Sequence, residues 1–404
     1  MTEPAHKLYK TGTHRTSTPA ATMARIAPLQ DRLGITRVAN VTGLDRIGVP
    51  VVMVCRPNSR SVAVSQGKGL DLISAKVSGL MESIETWHGE NISLPLKFGS
   101  FNNLVHSNAL LDLDLMPRIK RSRYHPDLPM LWIEGTNICT DDNIWIPFEV
   151  VHCNYTFPSP PGHGCFSAST NGLASGNHIV EAECHAICEV IERDSTTLWR
   201  QKKLLKRQET MVDLDTVDDA DNRGIIETLR KSDIAVSVWD TTTDVGVPSF
   251  QCMILGRGAD VHLGAGAGCH PAKHIALLRA LTEAVQTRNT YISGSRDDLS
   301  PDEYTRSGIL QKHREADRHM QADRPSGDFR HITCQLFDTF EQDRDWLLQR
   351  LGSVGIHTVV TVDLTKPELG VPVVRVVIPE LELPDDENDY VPGRRARVIA
   401  GCNA

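Results

Sequence analysis

Three stretches of the chain repeat one pattern, and they restrict its fold more than any other feature. They read GLDRIGVPVVMVCRP at 43–57, DTTTDVGVPSFQCMILG at 240–256 and DLTKPELGVPVVRVVIPE at 363–380. Each is a polar turn, then Gly-Val-Pro, then an apolar run rich in branched residues. Each also follows an apolar stretch: ITRVANV, IAVSVWD or HTVVTVD. The pattern predicts a β-hairpin used three times, with Gly supplying an unusual turn angle and Pro setting the start of the returning strand. The spacings are irregular, so three strand-rich lobes are expected rather than a solenoid.

Long helices are expected between the hairpins. Leu70–Trp87 has apolar residues at 73, 77, 80, 81 and 84, at helical spacing. Asn177–Trp199 places Ile179, Ala182, Ala186 and Val190 on one face, and Ala272–Tyr291 does so with Ile275, Leu278, Thr282 and Val285. Pro271 sits where a first-turn proline would, and Ser300-Pro301-Asp302-Glu303 is a good helix start. The charged stretch 312–328 has little apolar content, so 297–330 as a whole is expected to be a mobile loop or insertion. Strands alternating with helices predict a mixed α/β (α+β) fold, one catalytic unit over 1–404.

Composition removes several classes of function. Of the 404 residues, 40% are hydrophobic and 23% charged, enough for a large core. A net charge of −8 and only 5% aromatics argue against coating nucleic acid or lying on an anionic membrane. The best apolar runs, 49–55 and 371–378, are strand-length, and the N-terminal residues do not read as a signal peptide, so a cytoplasmic location is expected. The ten cysteines contain no CxxC pair and read as reduced, packed thiols, Cys184 and Cys188 included. A zinc reading around His152, Cys153, His163 and Cys165 lacks ligand pairs at short, fixed spacing.

The chemistry lies opposite the apolar stripes. Ser78, Glu82 and Glu85 share one face of the first helix. On the second, Glu181, His185, Cys188 and Glu192 form a stripe, flanked by Glu189 with Arg193 just beyond; on the third stand Arg279, Glu283 and Gln286. Any one stripe alone reads as a solvated face with ordinary ion pairs. Two features favour a site: the helices are apolar or small on most other sides, and each follows a Gly-rich loop, SQGKG, NGLASGN or GAGAG. Clustered carboxylates need cations to stay ionised, and oxygen-only ligands suit Mg2+, which often bridges to phosphates. A nucleoside triphosphate is therefore the expected ligand, although neither GKG nor GAGAG matches a standard phosphate loop.

The three segments SQGKGLDLISAKVSGLMESIE (65–85), NGLASGNHIVEAECHAICEVIERD (171–194) and LLRALTEAVQTR (277–288) resemble the YcaO family in order and content. The resemblance extends from about residue 7 to about residue 382. GTHR at 12–15 and GITRVANVTGLDRIGVPV at 34–51 are similar to the branch found with a TfuA-type partner. The resemblance implies a non-P-loop ATP site in which Glu82, Glu85, Glu181, Glu189, Glu192 and Glu283 hold Mg2+. Ser78, Asn177, Arg193 and Arg279 would contact nucleotide; Lys68 fits a further phosphate contact or an exposed loop lysine equally well. It also implies ATP-dependent activation of a peptide backbone amide, giving an azoline, a thioamide or an amidine according to the nucleophile.

Azoline-forming relatives typically end in a PxPxP segment, which residues 383–404 lack; the chain ends DYVPGRRARVIAGCNA, a basic tail with one proline. Thioamide formation on a ribosomally made peptide or protein is therefore the expected outcome. A TfuA-like or other protein would present the sulfur or the peptide, since about 30 residues precede the first hairpin, and a homodimer is expected. The alternatives are a cyclodehydratase and a non-catalytic ATP-binding scaffold, though a scaffold has no need of six carboxylates. Those six glutamates, with Arg193 and Arg279, leave −4 in one proposed site, half of the net charge of −8.

Overall fold

Each Gly-Val-Pro segment turns one strand back on another in the computed structural model, which describes residues 3–257, 261–296, 300–321, 325, 327–385 and 390–401. In chain order, α1 (Pro19–Ile26) precedes β1 (Arg37–Asn40), β2 (Val51–Cys55), β3 (Val64–Lys68) and α2 (Leu72–Glu90). Next come β4 (Leu96–Gly99), α3 (Phe101–Leu104), β5 (Met130–Asn137), β6 (Asp142–Pro147), β7 (Leu173–Ser175) and α4 (Ile179–Gln201). They are followed by α5 (Leu204–Gln208), β8 (Val212–Asp213), α6 (Ala220–Lys231), β9 (Ile234–Asp240), β10 (Ser249–Gly256), β11 (Leu263–Cys269) and α7 (Lys273–Ser293). The last elements are α8 (Arg306–Met320), β12 (Gly327–Asp328), α9 (Phe340–Ser353), β13 (Val360–Asp363), β14 (Val373–Val377) and α10 (Arg394–Ile399).

The three hairpins are β1–β2, β9–β10 and β13–β14, all antiparallel, with Asn40 opposite Val52, Asp240 opposite Phe250 and Asp363 opposite Val374. The motif glycines Gly48, Gly246 and Gly370 have φ of 81°, 74° and 65°, in the left-handed region that a side chain disfavours. Pro50, Pro248 and Pro372 stand immediately before the returning strands, where a missing N–H breaks no ladder.

The chain divides into two compact units. The six-stranded unit comprises residues 1–6, 84–201 and 338–404, and its sheet runs β4-β5-β13-β14-β7 with β6 beside β5. Helix α4 packs on β14 and β7, and α9 packs on α4. The two-sheet unit comprises residues 7–83 and 202–337 and holds the sheets β1-β2-β3 and β11-β10-β9, with the short pair β12-β8. Its core gathers Val51, Val238, Phe250, Leu277, Leu281 and Phe329 around α7.

Two local expectations change. Helix α8 covers Arg306–Met320, so part of the charged stretch read as a loop is helical. Thr305 caps it, and Gln311 bonds Glu315 one turn on, so polar side-chain pairs support a helix that has little apolar face. Residues 297–299, 322–324 and 326 of that stretch lie outside the described residues. Pro271 precedes the Ala272 cap of α7 rather than occupying the first turn.

Candidate functional site

The Gly-rich runs belong largely to strands, and each strand lies directly against the helix that follows it. A Cβ on Gly67 of β3 would lie 2.0 Å from Ala75 O and 2.2 Å from Gly79 N of α2. On β11, Gly264, Gly266 and Gly268 would each place a Cβ 2.0–2.3 Å from α7 backbone atoms. Before α4, a Cβ on Gly176 would lie 2.8 Å from Ala182 N. The glycines therefore permit backbone-to-backbone contact between strand and helix, which brings helix carboxylates within reach of strand N–H groups.

Glu82, Glu181 and Glu283 are each tied back to the segment before their own helix, whereas Glu85 of α2 reaches the segment before α4. In the two-sheet unit, Glu82 Oε1 accepts from Gln66 N at 3.4 Å and Glu283 Oε1 from Ala267 N at 3.4 Å. Lys68 Nζ pairs with Glu283 Oε2 at 2.7 Å, so this lysine engages a carboxylate. Burial raises Glu82 to about 6, opposed by Lys68, the Gln66 N–H and Arg296. Ser78 is half-buried one turn before Glu82, and Arg279 is half-buried one turn before Glu283.

In the six-stranded unit, Glu85 Oε1 accepts from Ser175 N at 2.9 Å and from Ser175 Oγ at 2.6 Å. Asn177 donates from its backbone N and Nδ2 to Glu181 Oε1, both at 3.3 Å. Arg193 lies 3.5 Å from Glu192 and 3.9 Å from Glu189. The other acidic groups of α4 are matched differently: Glu183 pairs with Arg344 at 3.0 Å, and Asp194 takes two bonds from Arg395 at 3.0 and 3.1 Å. Burial raises Asp194 to about 6 despite that arginine.

The candidate residues thus fall into two groups. Glu85, Asn177, Glu181, Glu189, Glu192 and Arg193 belong to the six-stranded unit; Lys68, Ser78, Glu82, Arg279 and Glu283 belong to the two-sheet unit. Helix α2 contributes to both, Glu82 to one and Glu85 to the other. The donor chemistry fits Mg2+: in the six-stranded unit four carboxylates accompany one arginine, a surplus that a hard divalent cation relieves.

The sequence reading missed the groups that hold the glutamates. Ser175 lies inside NGLASGN, and Gln66 inside SQGKG, where the glycines drew attention. Gln66 is buried and its Oε1 accepts from Thr290 Oγ1 at 2.6 Å and Gln286 Nε2 at 3.3 Å. A polar residue next to a glycine in a buried strand was the available signal. The zinc ligands considered above are otherwise engaged: His152 hydrogen-bonds His163, Cys165 Sγ bonds Gly162 O, and Cys153 lies beside Ser169 O.

Known proteins resemble this chain in sequence and in fold. The family model of YcaO cyclodehydratases, ATP- and Mg2+-binding, matches residues 66–382. An uncharacterized protein in the tfuA 3′ region of Rhizobium leguminosarum bv. trifolii is 35% identical over 388 residues, 93% of this chain and 90% of its own length. An uncharacterized protein of Methanothermobacter thermautotrophicus is 32% identical over 390 residues, 94% of this chain and 97% of its own. The fold is shared with YcaO from Methanopyrus kandleri, solved with AMPPCP and Mg2+, at a TM-score of 0.76 and 22% identity over 96% of this chain and 99% of that one. It is shared also with a heterocyclase solved with substrate and cofactor, at a TM-score of 0.80 and 21% identity; the match covers 100% of this chain and 57% of the heterocyclase. The chain belongs to the YcaO family, whose ligands are ATP and Mg2+.

Proposed function

We propose that this protein uses ATP and Mg2+ to activate a peptide backbone amide, and that the product is a thioamide made with a TfuA-like partner. The observation that carries the amide-activating reading is the set of six glutamates, each on a helix docked against a glycine-bearing strand or loop, in a chain of the YcaO family. The thioamide outcome draws on the 35% identical relative in a tfuA 3′ region.

The chemistry has a simple balance. A nucleophile adds to the amide carbon, and the carbonyl π pair moves to oxygen. That oxygen attacks the γ-phosphorus of ATP and ADP leaves; the C–O bond then breaks and releases phosphate. With hydrosulfide as nucleophile, loss of the S–H proton leaves C=S. Mg2+, when bound, neutralises phosphate charge and orients the oxygens. The chain's own work is placement: Ser175 fixes Glu85, Asn177 fixes Glu181, and Gln66 and Ala267 hold Glu82 and Glu283 through backbone N–H groups. Arg193, Arg279 and Lys68 are the cations this reading assigns to nucleotide phosphates; Lys68 and Arg193 rest beside glutamates in the structure.

A second reading, cyclodehydration of a Cys, Ser or Thr to an azoline, is favoured by the heterocyclase likeness and the family's own description. Mass spectrometry of a peptide modified by the protein with a TfuA-like partner, ATP and Mg2+ separates them. A gain of about 16 Da marks oxygen replaced by sulfur, and a loss of about 18 Da marks the azoline. An unmodified peptide with no ATP consumed contradicts both.

A further inference from the structure

Arg375 stands in the middle of β14, VVRVV, every residue of which is buried. It pairs with Val362 of β13 on one side and Leu173 of β7 on the other, so its strand is interior to the sheet. The residue is 3% exposed, and neither Nε nor Nη1 has a hydrogen-bond partner. No described residue forms an ion pair with it. A guanidinium buried without a partner is strongly unfavourable, and a fold keeps one where something else completes it.

What could complete it is indicated by the cavity beside it. Arg375, Asn171, Ser167, Ser169, Phe166 and Val190 contribute to the wall of a cavity of about 30 Å³ within the six-stranded unit. That is room for roughly two waters or one amide group. Asn171 is 8% exposed, and its Oδ1 also has no hydrogen-bond partner. Arg375, with Nε and Nη1 unsatisfied, and Asn171, with Oδ1 unsatisfied, thus line one small, mostly apolar cavity. A carboxylate or hydrosulfide would answer the arginine but offer little to Asn171 Oδ1. A secondary amide answers both, its carbonyl accepting and its N–H donating.

Sheet register relates Arg375 to the anchor of one glutamate. Arg375 is opposite Leu173 and Val373 is opposite Ser175, so Arg375 and Ser175 share one sheet face, about 7 Å apart along the strand. Ser175 is the anchor of Glu85, and Val190 of the cavity wall follows Glu189. Burial pushes the Cys153 thiol up and lowers His152 to about 4, and both feel the charge of Arg375; Glu90 and Glu189 act on Cys153 as well.

We infer that Arg375 and Asn171 bind the backbone amide that is to be activated, Arg375 donating to the carbonyl oxygen and Asn171 accepting from the N–H. Arg375 then stabilises the negative charge that grows on that oxygen as the nucleophile adds. The inference rests on the proposed amide-activating function and names the residues that would receive its substrate.

Saturation-transfer NMR on the full chain tests it, with N-methylacetamide as probe and acetate as its anionic counterpart. Transfer to N-methylacetamide is expected in the unaltered protein, lost in Arg375→Met, reduced in Asn171→Ala and partly retained in Arg375→Lys. Arg375→Met is also expected to raise Tm by about 2–4 °C, because it replaces a buried unpartnered charge with an apolar side chain of similar length. A merely structural arginine would lower Tm instead. Amide transfer that survives Arg375→Met, or its absence from the unaltered protein, overturns the inference. So does stronger transfer to acetate that disappears in Arg375→Met, which would make the cavity an anion site. Mg2+-ATP titration of the same samples judges the underlying function separately: unchanged affinity in Arg375→Met with lost amide transfer is the expected pair.

Discussion

The two groups of candidate residues are built alike but charged differently. Both rest on strand or loop N–H groups that hold helix glutamates, and both use glycine to bring backbone against backbone. In the two-sheet unit, Glu82 and Glu283 accompany Lys68 and Arg279, which makes that group neutral. Among the candidate residues of the six-stranded unit, Glu85, Glu181, Glu189 and Glu192 accompany Arg193, a sum of −3, or −2 with Arg375 counted. Elsewhere on α4, Glu183 and Asp194 each pair with an arginine of their own. The difference teaches that dependence on Mg2+ should reside mainly in the six-stranded unit, while the two-sheet unit can meet phosphate with Lys68 and Arg279.

The largest expected effect tests the scaffold beneath this contrast. Gly268→Ala would place a Cβ 2.0 Å from Ala276 O, and Gly176→Ala a Cβ 2.8 Å from Ala182 N. Gly268→Ala should destabilise by about 3 kcal/mol or more and Gly176→Ala by clearly less, measured by urea denaturation. Equal, small losses would show that the close seam of β11 on α7 is not required.

Next is Glu192→Gln, which removes one of the surplus acids, a side chain 2% exposed. Mg2+-ATP affinity should fall about 100-fold, near 3 kcal/mol, by calorimetry. An unchanged affinity would remove Glu192 from the metal set.

Glu82 gives a pH test in the neutral group. Its folded pKa is raised from 4.5 to about 6, so between those values the native state holds a proton that the unfolded chain has released. Stability from this group is therefore fully present below pH 4.5 and lost as pH rises through about 6, a cost of about 2 kcal/mol at pH 7. Glu82→Gln should raise the urea midpoint of the ligand-free protein at pH 7 and leave it nearly unchanged at pH 4. A drop at pH 7 would contradict the burial argument.

The smallest effect is expected for Lys68→Met. Losing the cation paired to Glu283 should weaken nucleotide binding about tenfold, or 1.4 kcal/mol, while leaving the dependence on Mg2+ intact.

Much of this was legible in the sequence. The three Gly-Val-Pro hairpins follow from local turn chemistry, and their glycines and prolines do what such residues do anywhere. The helices bearing the glutamates were visible from apolar period and began and ended within about three residues of expectation. The glycine runs were read as loops, because a strand without side chains has no alternation to detect; only the helix lying against β11 explains three glycines in one strand. Ser175 and Gln66 were overlooked for a related reason, since their partners are many residues away. Arg375 was in plain view within VPVVRVVIPE, but its burial and its missing partner exist only once β13, β14 and β7 are assembled.

The charge contrast is tested most directly by titrating ATP into the unaltered protein with Mg2+ and again with the metal chelated. Surplus carboxylates and a polyanionic nucleotide repel unless a divalent cation stands between them. The account predicts tight binding with Mg2+ and a loss of at least about 100-fold without it. Equal affinity in the two titrations would contradict it.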